Sequence, residues 1–317
     1  MEYIVLKNSD LRVSRFCMGG CPMGGYGWGN VQEQDLIDSI NLALDSGVNF
    51  FDTADTYGLG QSERTLAKGL AKRRSEVVIE TKFGVRTLNG KTVYDNSPAY
   101  IQEALEKSLQ RLNTDYVDIY LIHYRDGVTP IEDVIGKLED LKKEGKIRYY
   151  GLSNLEEDDL EGLLPYKGHF VCCQDEFSLA CRRNERALKM LQDKLDVSPM
   201  TWGSLGQGIL TGKYTRDNVS FGPDDRRSRE IYVNFHGEKL RKNLIIVDEL
   251  REIANSRCKS IASCAIRYIL DYLPESVIIA GVKRPTQLIS NLEAMDWSFS
   301  NSELQRLSTI SAFGEES

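Results

Sequence analysis

An acid and a phenol stand five residues apart at the point where an apolar run of the sequence ends. The run Val48–Phe51 stops at Asp52, a polar loop that contains glycine carries Tyr57, and a helical pattern begins at Ser62. The pattern predicts Asp52 at the end of a buried strand and Tyr57 in the loop that leaves it. In parallel α/β proteins, ligands bind and chemistry takes place at this edge of the sheet.

Two further residues end apolar runs in the same way. Lys82 is the last residue of one run, and His123 is the last residue of the next. Alone, Asp52 could cap the following loop and Lys82 could be a solvated strand end. Four such side chains at three neighbouring strand ends instead predict one shared site at the rim of the sheet.

These four residue types can together protonate an oxygen atom. A tyrosine has an ordinary pKa of about 10, and a nearby ammonium group lowers it. Asp52 can hold Lys82 beside Tyr57, so that Tyr57 acts as a general acid, while His123 donates a hydrogen bond to the same carbonyl oxygen. The hydride that completes such a reduction must come from a cofactor, because no side chain can supply one.

Apolar, strand-like runs alternate with amphipathic helical stretches along the whole chain. Most of the runs are continuously apolar, as in strands that are covered on both faces. Eight βα units in 317 residues predict a closed (β/α)8 TIM barrel that forms one domain, residues 1–317, with an open doubly wound sheet as the alternative. The eight predicted strands are Ser14–Gly19, Val48–Asp52, Glu76–Lys82, Tyr116–His123, Ile147–Gly151, Phe170–Gln174, Met200–Gly203 and Ser276–Gly281.

Additional elements are predicted before the first barrel strand and after the seventh. Tyr3–Val13 reads as a β-hairpin that caps the floor of the barrel. The charged loop Thr215–Glu230 and an extra helix, Leu240–Ala254, follow the seventh strand, and a further helix, Glu303–Ile310, lies near the C-terminus. A long loop of this kind is more often functional than not.

Dipeptides with a hydroxyl residue before proline, and single glycines, mark the ends of the helices. Ser97-Pro98 and Thr129-Pro130 predict a capping hydroxyl followed by proline at the first helical position. Gly47 and Gly145 are predicted to adopt a left-handed conformation just beyond two helix ends.

Composition excludes several classes of protein. The net charge is −7 and no basic patch stands out, which argues against a nucleic-acid partner. The seven cysteines are odd in number and lack paired CxxC spacing, so no disulfide framework and no metal site is predicted. No signal peptide and no apolar run of about 20 residues is present, and we therefore expect a cytoplasmic protein without a membrane partner.

The ordered motifs resemble the aldo-keto reductase family over essentially the whole chain. The resemblance implies a catalytic tetrad of Asp52, Tyr57, Lys82 and His123 that reduces an aldehyde, ketone or keto sugar to the alcohol. The motifs that carry it are Phe51-Asp52-Thr53-Ala54 with Tyr57-Gly58 and Glu63, Glu80-Thr81-Lys82, Ile122-His123, Gly151-Leu152-Ser153-Asn154, Leu205-Gly206-Gln207-Gly208, Leu210-Thr211-Gly212-Lys213-Tyr214 and Gly281-Val282-Lys283-Arg284.

The same resemblance implies a nicotinamide cofactor that lies across the rim. Ser153, Asn154 and Gln174 would hold the nicotinamide carboxamide, and Trp202 would stack on the ring. The full set of implied cofactor contacts is Gly19, Gly20, Cys21, Asp52, Ser153, Asn154, Gln174, Trp202, Gly203, Ser204, Leu205, Gln207, Gly208, Gly281, Val282, Lys283, Gln287 and Asn291.

Three positions depart from the family pattern. Gly20 stands where the family often has threonine near the nicotinamide ribose, Val282 where many NADPH-using members have a hydroxyl, and Gln287 where many have arginine. The resemblance then implies that Lys283, with Arg284 as a second candidate, holds the 2′-phosphate. We expect NADPH (NADP+) as the cofactor in preference to NADH.

Two other functions are compatible with the sequence, which does not specify the substrate. The chain could bind the cofactor as a regulatory protein with little catalysis, as the channel-associated members of the family are thought to do. Lys82 could instead form a Schiff base in a barrel aldolase. Tyr26 and Trp28, in the glycine-rich loop after the first barrel strand, could line a pocket for a small carbonyl substrate or pack that loop down.

Overall fold

The computed structural model describes residues 1–88, 90–155, 157–222 and 225–315. Eight parallel strands close into a barrel in the order β3-β4-β5-β8-β9-β10-β11-β12, which confirms the predicted (β/α)8 fold. In chain order the strands are β1 (Tyr3–Val5), β2 (Arg12–Ser14), β3 (Phe16–Gly19), β4 (Phe50–Asp52), β5 (Val78–Phe83), β6 (Val85–Leu88), β7 (Lys91–Tyr94), β8 (Val117–Ile122), β9 (Ile147–Ser153), β10 (Phe170–Glu176), β11 (Ser198–Trp202) and β12 (Val277–Gly281).

The helices surround the barrel and pack their apolar faces on the outside of its strands. In α1, for example, Leu36, Ile40 and Leu44 are buried against this outer core. In chain order the helices are α1 (Glu33–Asp45), α2 (Gln61–Leu70), α3 (Pro98–Leu112), α4 (Ile131–Lys143), α5 (Leu160–Leu163), α6 (Glu185–Leu195), α7 (Gly237–Arg257), α8 (Ile261–Tyr272), α9 (Pro285–Leu292) and α10 (Asn301–Ile310).

One of the two predicted hydroxyl caps is present, and the other is not. The side chain of Ser97 accepts a hydrogen bond from the backbone of Tyr100 at the start of α3. At α4 the prediction was wrong, because Pro130 itself is the capping residue and the Thr129 hydroxyl donates to Asp126 instead. The carboxylate of Asp126 competes successfully for the hydroxyl because it is a charged acceptor.

The barrel has an apolar interior that the N-terminal hairpin closes from below. Leu6, Leu11 and Val13 pack against inward-facing side chains of the barrel strands, and this confirms the predicted floor. The inward-facing members of this cluster are Cys17, Phe50, Val78, Ile119, Leu121, Val171, Cys172, Met200, Val277 and Ile279. The floor is therefore sealed, and polar chemistry is restricted to the opposite rim.

A second hairpin was not predicted from the sequence. Strands β6 and β7 pair as an antiparallel ribbon directly after β5. Asn89-Gly90, between two runs of β-forming residues, is a known hairpin signal and could have revealed it. Asn89 lies outside the described residues, as do residues 223 and 224 of the predicted charged loop and the last two residues of the chain.

Other features of the prediction agree with the structure. The extra helices α7 and α10 are present, and Gly47 and Gly145 have φ angles of 84° and 73° beyond α1 and α4. All seven cysteines are free, and five of them are buried. Within the described ranges, the helices lack the combination of length and apolar composition that a bilayer-crossing segment needs.

Candidate active site

The four predicted catalytic residues meet at one rim of the barrel. Asp52 ends β4, Lys82 lies near the end of β5, and His123 directly follows β8. These strands are neighbours in the barrel, so their last side chains project towards a common centre. Asp52, Tyr57 and His123 line a cavity of about 880 Å³ that extends across the rim.

Lys82 is fully buried and its ammonium group has three acceptors. Nζ donates to Oδ1 of Asp52 in a close ion pair, to the Thr53 carbonyl oxygen at 2.9 Å and to the Tyr57 hydroxyl oxygen at 3.4 Å. An ammonium group has three hydrogens, so this set satisfies all of them. The proximity of Asp52 overcomes the effect of burial and raises the pKa of Lys82 above its ordinary value, which keeps the group charged.

Because Tyr57 accepts from Lys82, its own hydroxyl proton is free to point elsewhere. The ring lies edge-on to His123, with 6.1 Å between ring centroids.

The expectation that Lys82 lowers the pKa of Tyr57 below its ordinary value is wrong. Burial raises this pKa well above its ordinary value, and the opposing influence of Lys82 is smaller. Tyr57 therefore holds its proton at neutral pH, as a proton donor must.

Backbone contacts between two loops fix the position of Tyr57. A side chain at Gly58 (φ 61°) would come within 2.1 Å of the Gly24 carbonyl oxygen, and one at Gly24 would come within 2.6 Å of the Tyr57 carbonyl carbon. The two glycines thus allow the loop after β3 to lie directly against the loop that carries Tyr57. Such close packing leaves the phenol little freedom to move.

A similar close approach explains why glycine occupies position 20. A Cβ atom there would lie 2.5 Å from the Asp52 carbonyl oxygen and 2.6 Å from the Ser62 hydroxyl oxygen. The Gly20 amide also donates to that Asp52 carbonyl oxygen at 2.7 Å. The departure from the family pattern at this position is therefore a requirement for space.

We expect Gly20→Ala to lower the free energy of unfolding by about 1–3 kcal/mol, because the added methyl group forces backbone at Asp52 to shift. Urea unfolding of the purified variant measures this change. Gly136→Ala is the matched control, since a methyl group there meets no atom within 4 Å and the site lies in α4. It should leave stability unchanged or raise it by up to about 1 kcal/mol. Equal effects at both positions would contradict the packing argument.

His123 is held in the neutral form. Burial and the nearby Lys82 ammonium place the pKa of His123 well below its ordinary value. Its backbone carbonyl accepts from the Asn154 amide at 3.1 Å, and Nδ1 is buried without a hydrogen-bond partner among the described residues. In the tautomer that carries the proton on Nε2, the ring can donate one hydrogen bond to a ligand in the cavity.

Asp55, on the same loop as Tyr57, holds a proton at unusually high pH. Its Oδ1 is buried and has no hydrogen-bond partner within the described ranges. Burial and the charge of Glu63 raise the pKa of Asp55 to about 7. The unfolded chain releases this proton near pH 4, so the folded state loses stability as pH rises from about 4 to 7.

We expect Asp55→Asn to remove this pH dependence. At pH 8 the variant should have a free energy of unfolding about 2–4 kcal/mol higher than the wild-type chain, because the cost of ionising a buried carboxyl group is absent. Near pH 4 the two proteins should be equally stable. Denaturant unfolding across this pH range is the measurement, and a difference that did not change with pH would contradict the assignment.

Three predicted nicotinamide contacts form a connected group beside the tetrad. Asn154 donates to the His123 carbonyl and to the Ser153 hydroxyl, and it accepts from Nε1 of Trp202 at 3.2 Å. Asn154, Gln174 and Trp202 line the cavity, whereas Ser153 is fully buried behind Asn154. An aromatic ring and amide groups are thus available next to Tyr57.

The loop after β11 follows the wall of the cavity. Gly203, Gly206, Gln207 and Gly208 all have positive φ angles, and the amides of Gly206 and Gly208 donate within the loop to the carbonyl oxygens of Gly203 and Leu205. The Gln207 side chain anchors this loop by donating to Glu176 at 2.9 Å. The predicted contacts Gly203, Ser204, Leu205, Gln207 and Gly208 all line the cavity.

The far end of the cavity carries an excess of positive charge. Among the described residues, seven cationic side chains line the cavity, and five of them lie around this end, where Arg227 also pairs with Asp225. Burial, Arg227 and Lys213 lower the pKa of Lys283, as expected where cations repel one another. The five cations are Lys213, Arg226, Arg227, Lys283 and Arg284. This arrangement suits a ligand with several phosphate groups.

Other predicted contacts are also found along the wall of the cavity. Gly19, Cys21, Gly281, Gln287 and Asn291 line it. Nδ2 of Asn291 is buried and finds no hydrogen-bond partner in the part of the chain that the structure describes. An unsatisfied buried donor facing a cavity is a suitable contact for a ring nitrogen of a nucleotide base.

Three further predicted residues do not line the cavity. Tyr26 is 67% exposed and is not among the residues that line the cavity, so its contact with a substrate stays a prediction. Val282 is fully buried in the outer core, and Gly20 is packed behind Asp52. Trp28 does line the cavity, where its carbonyl accepts from Lys283 at 2.8 Å and its ring lies 4.2 Å from the Arg226 guanidinium carbon.

Sequence reasoning missed several residues of the site. Arg226 and Arg227 lie within the loop that was predicted to be functional, but their roles were not assigned. Tyr124, which directly follows His123, lines the cavity and packs on Tyr94 of the second hairpin, with 5.3 Å between ring centroids. Glu80, inside the barrel, was also not assigned a role. Two sequence signals could have identified them: the basic pair Arg226-Arg227 in the charged loop, and the position of Glu80 two residues before Lys82 on the same strand.

Comparisons with known proteins agree on one family. Residues 15–312 match the model of the aldo/keto reductase family. The chain is 31% identical to the aldo-keto reductase YhdN of Bacillus subtilis, over 98% of this chain and 93% of that protein. It is also 31% identical to the NADH-specific methylglyoxal reductase of Escherichia coli, with 96% of each chain covered.

A solved structure gives the same result for the fold. The glycerol dehydrogenase AKR11B4 from Gluconobacter oxydans superimposes with a TM-score of 0.87 and is 30% identical in sequence. The alignment covers 98% of this chain and 95% of that chain. The similarity therefore extends over the barrel, the extra helices and the rim on which the candidate site lies.

Proposed function

Because the chain belongs to the aldo/keto reductase family, we propose that it reduces a small aldehyde or ketone with NADPH and that Tyr57 donates the proton. Family membership makes it an oxidoreductase that acts on small carbonyl compounds. The identity of the proton donor and the choice of cofactor go beyond that statement. The observation that carries the proposal is the contact of the buried Lys82 ammonium with both Asp52 and the Tyr57 hydroxyl oxygen.

The nicotinamide cofactor fits the residues that line the cavity. Trp202, Asn154 and Gln174 would hold its nicotinamide end. The loop after β11 and the five cations would hold its phosphate groups, and Asn291 would bind its base. When bound, the cofactor supplies the hydride. The remaining steps depend on side chains of this chain.

Tyr57 and His123 act on the carbonyl oxygen. Both can donate a hydrogen bond to it, and this polarises the carbonyl group and orients it. As negative charge develops on the oxygen, Tyr57 transfers its proton and the Lys82 ammonium stabilises the resulting phenolate. Asp52 keeps Lys82 charged and in place throughout.

The preference for NADPH rests on the charge at the far end of the cavity. One relative at 31% identity is NADH-specific, so the preference has to be argued from this chain's own residues. Lys283 and Arg284 line the cavity together with Thr286 and Gln287, and the carboxylate of the nearby Asp225 is engaged by Arg227. Positive charge without a free carboxylate favours a ribose that carries a phosphate over one that carries a hydroxyl.

The substrate class that we propose is a small, polar carbonyl compound. Relatives include a methylglyoxal reductase and a glycerol dehydrogenase, both of which are named for compounds of three carbons. Hydroxylated aldehydes and ketones of similar size would suit the polar rim around Tyr57 and His123. The direction of the reaction in the cell depends on the supply of oxidised and reduced cofactor.

Two alternatives receive less support. One relative at 31% identity is named as a probable voltage-gated potassium channel β subunit of rice. A purely regulatory role for the present chain would not require all four catalytic side chains. An aldolase would need Lys82 to lose a proton, but all three of its hydrogens are engaged and its raised pKa keeps it charged. Borohydride trapping of a substrate on Lys82 would support the aldolase.

The proposal is tested by cofactor titration followed by a carbonyl panel. Quenching of tryptophan fluorescence by NADPH and by NADH gives both dissociation constants. NADPH oxidation is then followed with methylglyoxal, glyceraldehyde, dihydroxyacetone and larger aldehydes and keto sugars. Tight NADPH binding without oxidation by any compound would favour the regulatory alternative.

We expect Lys283→Met to raise the dissociation constant of NADPH about 10- to 100-fold and to leave that of NADH nearly unchanged. A hydrogen bond to a charged group contributes about 1.5–3 kcal/mol, which corresponds to this range. Lys143→Met is the matched control, because Lys143 is highly exposed at the end of α4. An equal loss of affinity for both cofactors would place Lys283 elsewhere than at the 2′-phosphate.

A further inference from the structure

The interior of the barrel contains a carboxyl group that the proposed mechanism does not use. Glu80 lies on β5, two residues before Lys82, and therefore faces the same interior. It is 0% exposed and stands opposite Asp52 in the register of β4 and β5. Apart from Asp52, Lys82 and Gln174, the surroundings are apolar side chains and the buried thiols of Cys17 and Cys172.

Glu80 and Asp52 share one donor. Nε2 of Gln174 donates to Oε1 of Glu80 at 2.6 Å and to Oδ1 of Asp52 at 3.2 Å. The second oxygen of Glu80, Oε2, is buried and has no hydrogen-bond donor near it among the described residues. An ionised carboxylate would leave this oxygen with an unsatisfied charge, whereas a carboxylic acid can carry a proton and donate it to Asp52, which lies within side-chain hydrogen-bonding reach of Glu80.

The charge balance of the site favours the acid form. Lys82 and Asp52 are oppositely charged and adjacent, so together they are neutral. A third charge on Glu80 would be fully buried and unbalanced, which is very costly in an apolar interior. Burial, followed by the negative charge of Asp52, raises the pKa of Glu80 well above its ordinary value. The neighbouring Cys17 and Cys172 thiols stay neutral for the same reason and add no charge.

We propose that Glu80 is a positioning residue, a neutral carboxylic acid that bridges Asp52 and Gln174 and thereby orients the Gln174 amide towards the cofactor. The inference rests on the proposed function, because it gives Gln174 the task of holding the nicotinamide carboxamide. With both hydrogens of Nε2 directed at carboxyl oxygens, the carbonyl oxygen of Gln174 is turned towards the cavity that this residue lines. There it can accept from the carboxamide N–H₂ group.

The bridge also acts on Asp52. A hydrogen bond donated by the Glu80 acid supports the negative charge of Asp52 in addition to the Lys82 ammonium group. Asp52 then keeps its charge and its contact with Lys82 without a second anion in the barrel. Glu80 acts through Asp52 and Gln174 and makes no contact with the substrate site itself, since it does not line the cavity.

The test compares two variants that differ in hydrogen bonding but have similar length. Glu80→Gln keeps a neutral donor for Asp52 and an acceptor for Gln174, and we expect its NADPH dissociation constant to stay within about twofold of the wild-type value. Glu80→Met removes both hydrogen bonds and should raise that constant about tenfold. Fluorescence titration measures binding without turnover, so the result is independent of whether a substrate has been found.

Cys172→Ala controls for a disturbance of the barrel interior, because Cys172 belongs to the same apolar cluster but makes no described hydrogen bond to Gln174. Its cofactor affinity should remain near the wild-type value. Equal loss of affinity in Glu80→Met and Cys172→Ala, or wild-type affinity in Glu80→Met, would overturn the proposal. Loss of affinity in Glu80→Gln would do the same, because it would mean that the native side chain is charged.

Infrared spectroscopy tests the protonation state directly. The spectrum of the wild-type chain should contain the carbonyl band of a buried carboxylic acid, and Glu80→Gln should lack it. At about pH 9, Asp55, with a pKa of about 7, is ionised and does not contribute. Absence of the band in the wild-type chain would overturn the proposal whether or not the protein proves to reduce carbonyl compounds.

Discussion

Tyr57→Phe should lower kcat for carbonyl reduction by about 10²- to 10⁴-fold and leave the dissociation constant of NADPH nearly unchanged. General acid catalysis by a positioned side chain typically contributes this factor. The phenylalanine ring keeps the edge contact with His123 but has no proton to donate. Stopped-flow measurement of NADPH oxidation, together with fluorescence titration, separates the chemical step from binding.

The control for this variant lies at the other end of the barrel. The Tyr149 hydroxyl bonds to Asp10 near the floor, so Tyr149→Phe removes a hydroxyl group without touching the rim. Its kcat should equal that of the wild-type chain. Wild-type turnover by Tyr57→Phe would refute the assignment of the proton donor, and a matching loss in Tyr149→Phe would point to a general effect of hydroxyl removal.

Lys82→Met should have a double effect, on turnover and on stability. Tyr57 loses the ammonium group that stabilises its phenolate, and we expect kcat to fall by at least about 10²-fold. Asp52 is left buried and charged without its partner, which typically costs about 3–5 kcal/mol of unfolding free energy. Kinetics and urea unfolding of the same preparation measure the two effects.

A double variant separates these two effects. Asp52→Asn combined with Lys82→Met removes both charges, so we expect most of the lost stability to return. Turnover should stay as low as in Lys82→Met alone, because the ammonium group is still missing. Recovery of both properties, or of neither, would contradict the described roles of the pair.

The contribution of Lys82 to stability should not change with pH near neutrality. The folded-state pKa of Lys82 is raised, so its contribution to stability is fully present below the unfolded value of about 10.4 and is lost only as pH rises through the folded value. The stability difference between the wild-type chain and the double variant should therefore be constant from about pH 6 to pH 9, because the double variant leaves no unpaired Asp52 carboxyl group to titrate. A difference that declined within this window would indicate that Lys82 titrates there.

The strand ends were the part of the site that sequence could predict well. Asp52, Lys82 and His123 are polar residues that end apolar runs, and strand order in a barrel brings consecutive ends together. The pKa of Tyr57 could not be predicted in the same way, because its direction depends on how much solvent the folded site excludes. Sequence identifies the opposing charge of Lys82 but not the extent of burial.

Glu80 and Arg226 show two other limits of the sequence. Glu80 faces the barrel interior because it lies two residues from Lys82, yet its role depends on Gln174, which is 94 residues away along the chain. Arg226 meets the Trp28 ring through a contact between distant loops. Local patterns indicate the direction of a side chain, whereas the partner that it meets is decided by tertiary packing.

The sealed floor of the barrel has a practical consequence for handling the enzyme. The hairpin of β1 and β2 closes the end of the barrel that lies opposite the cavity, and its turn projects away from the tetrad. A tether attached at this turn would orient every molecule on a support with its opening towards the solution. Immobilised enzyme on a biosensor or in a flow reactor should then exchange small reactants as freely as enzyme in solution.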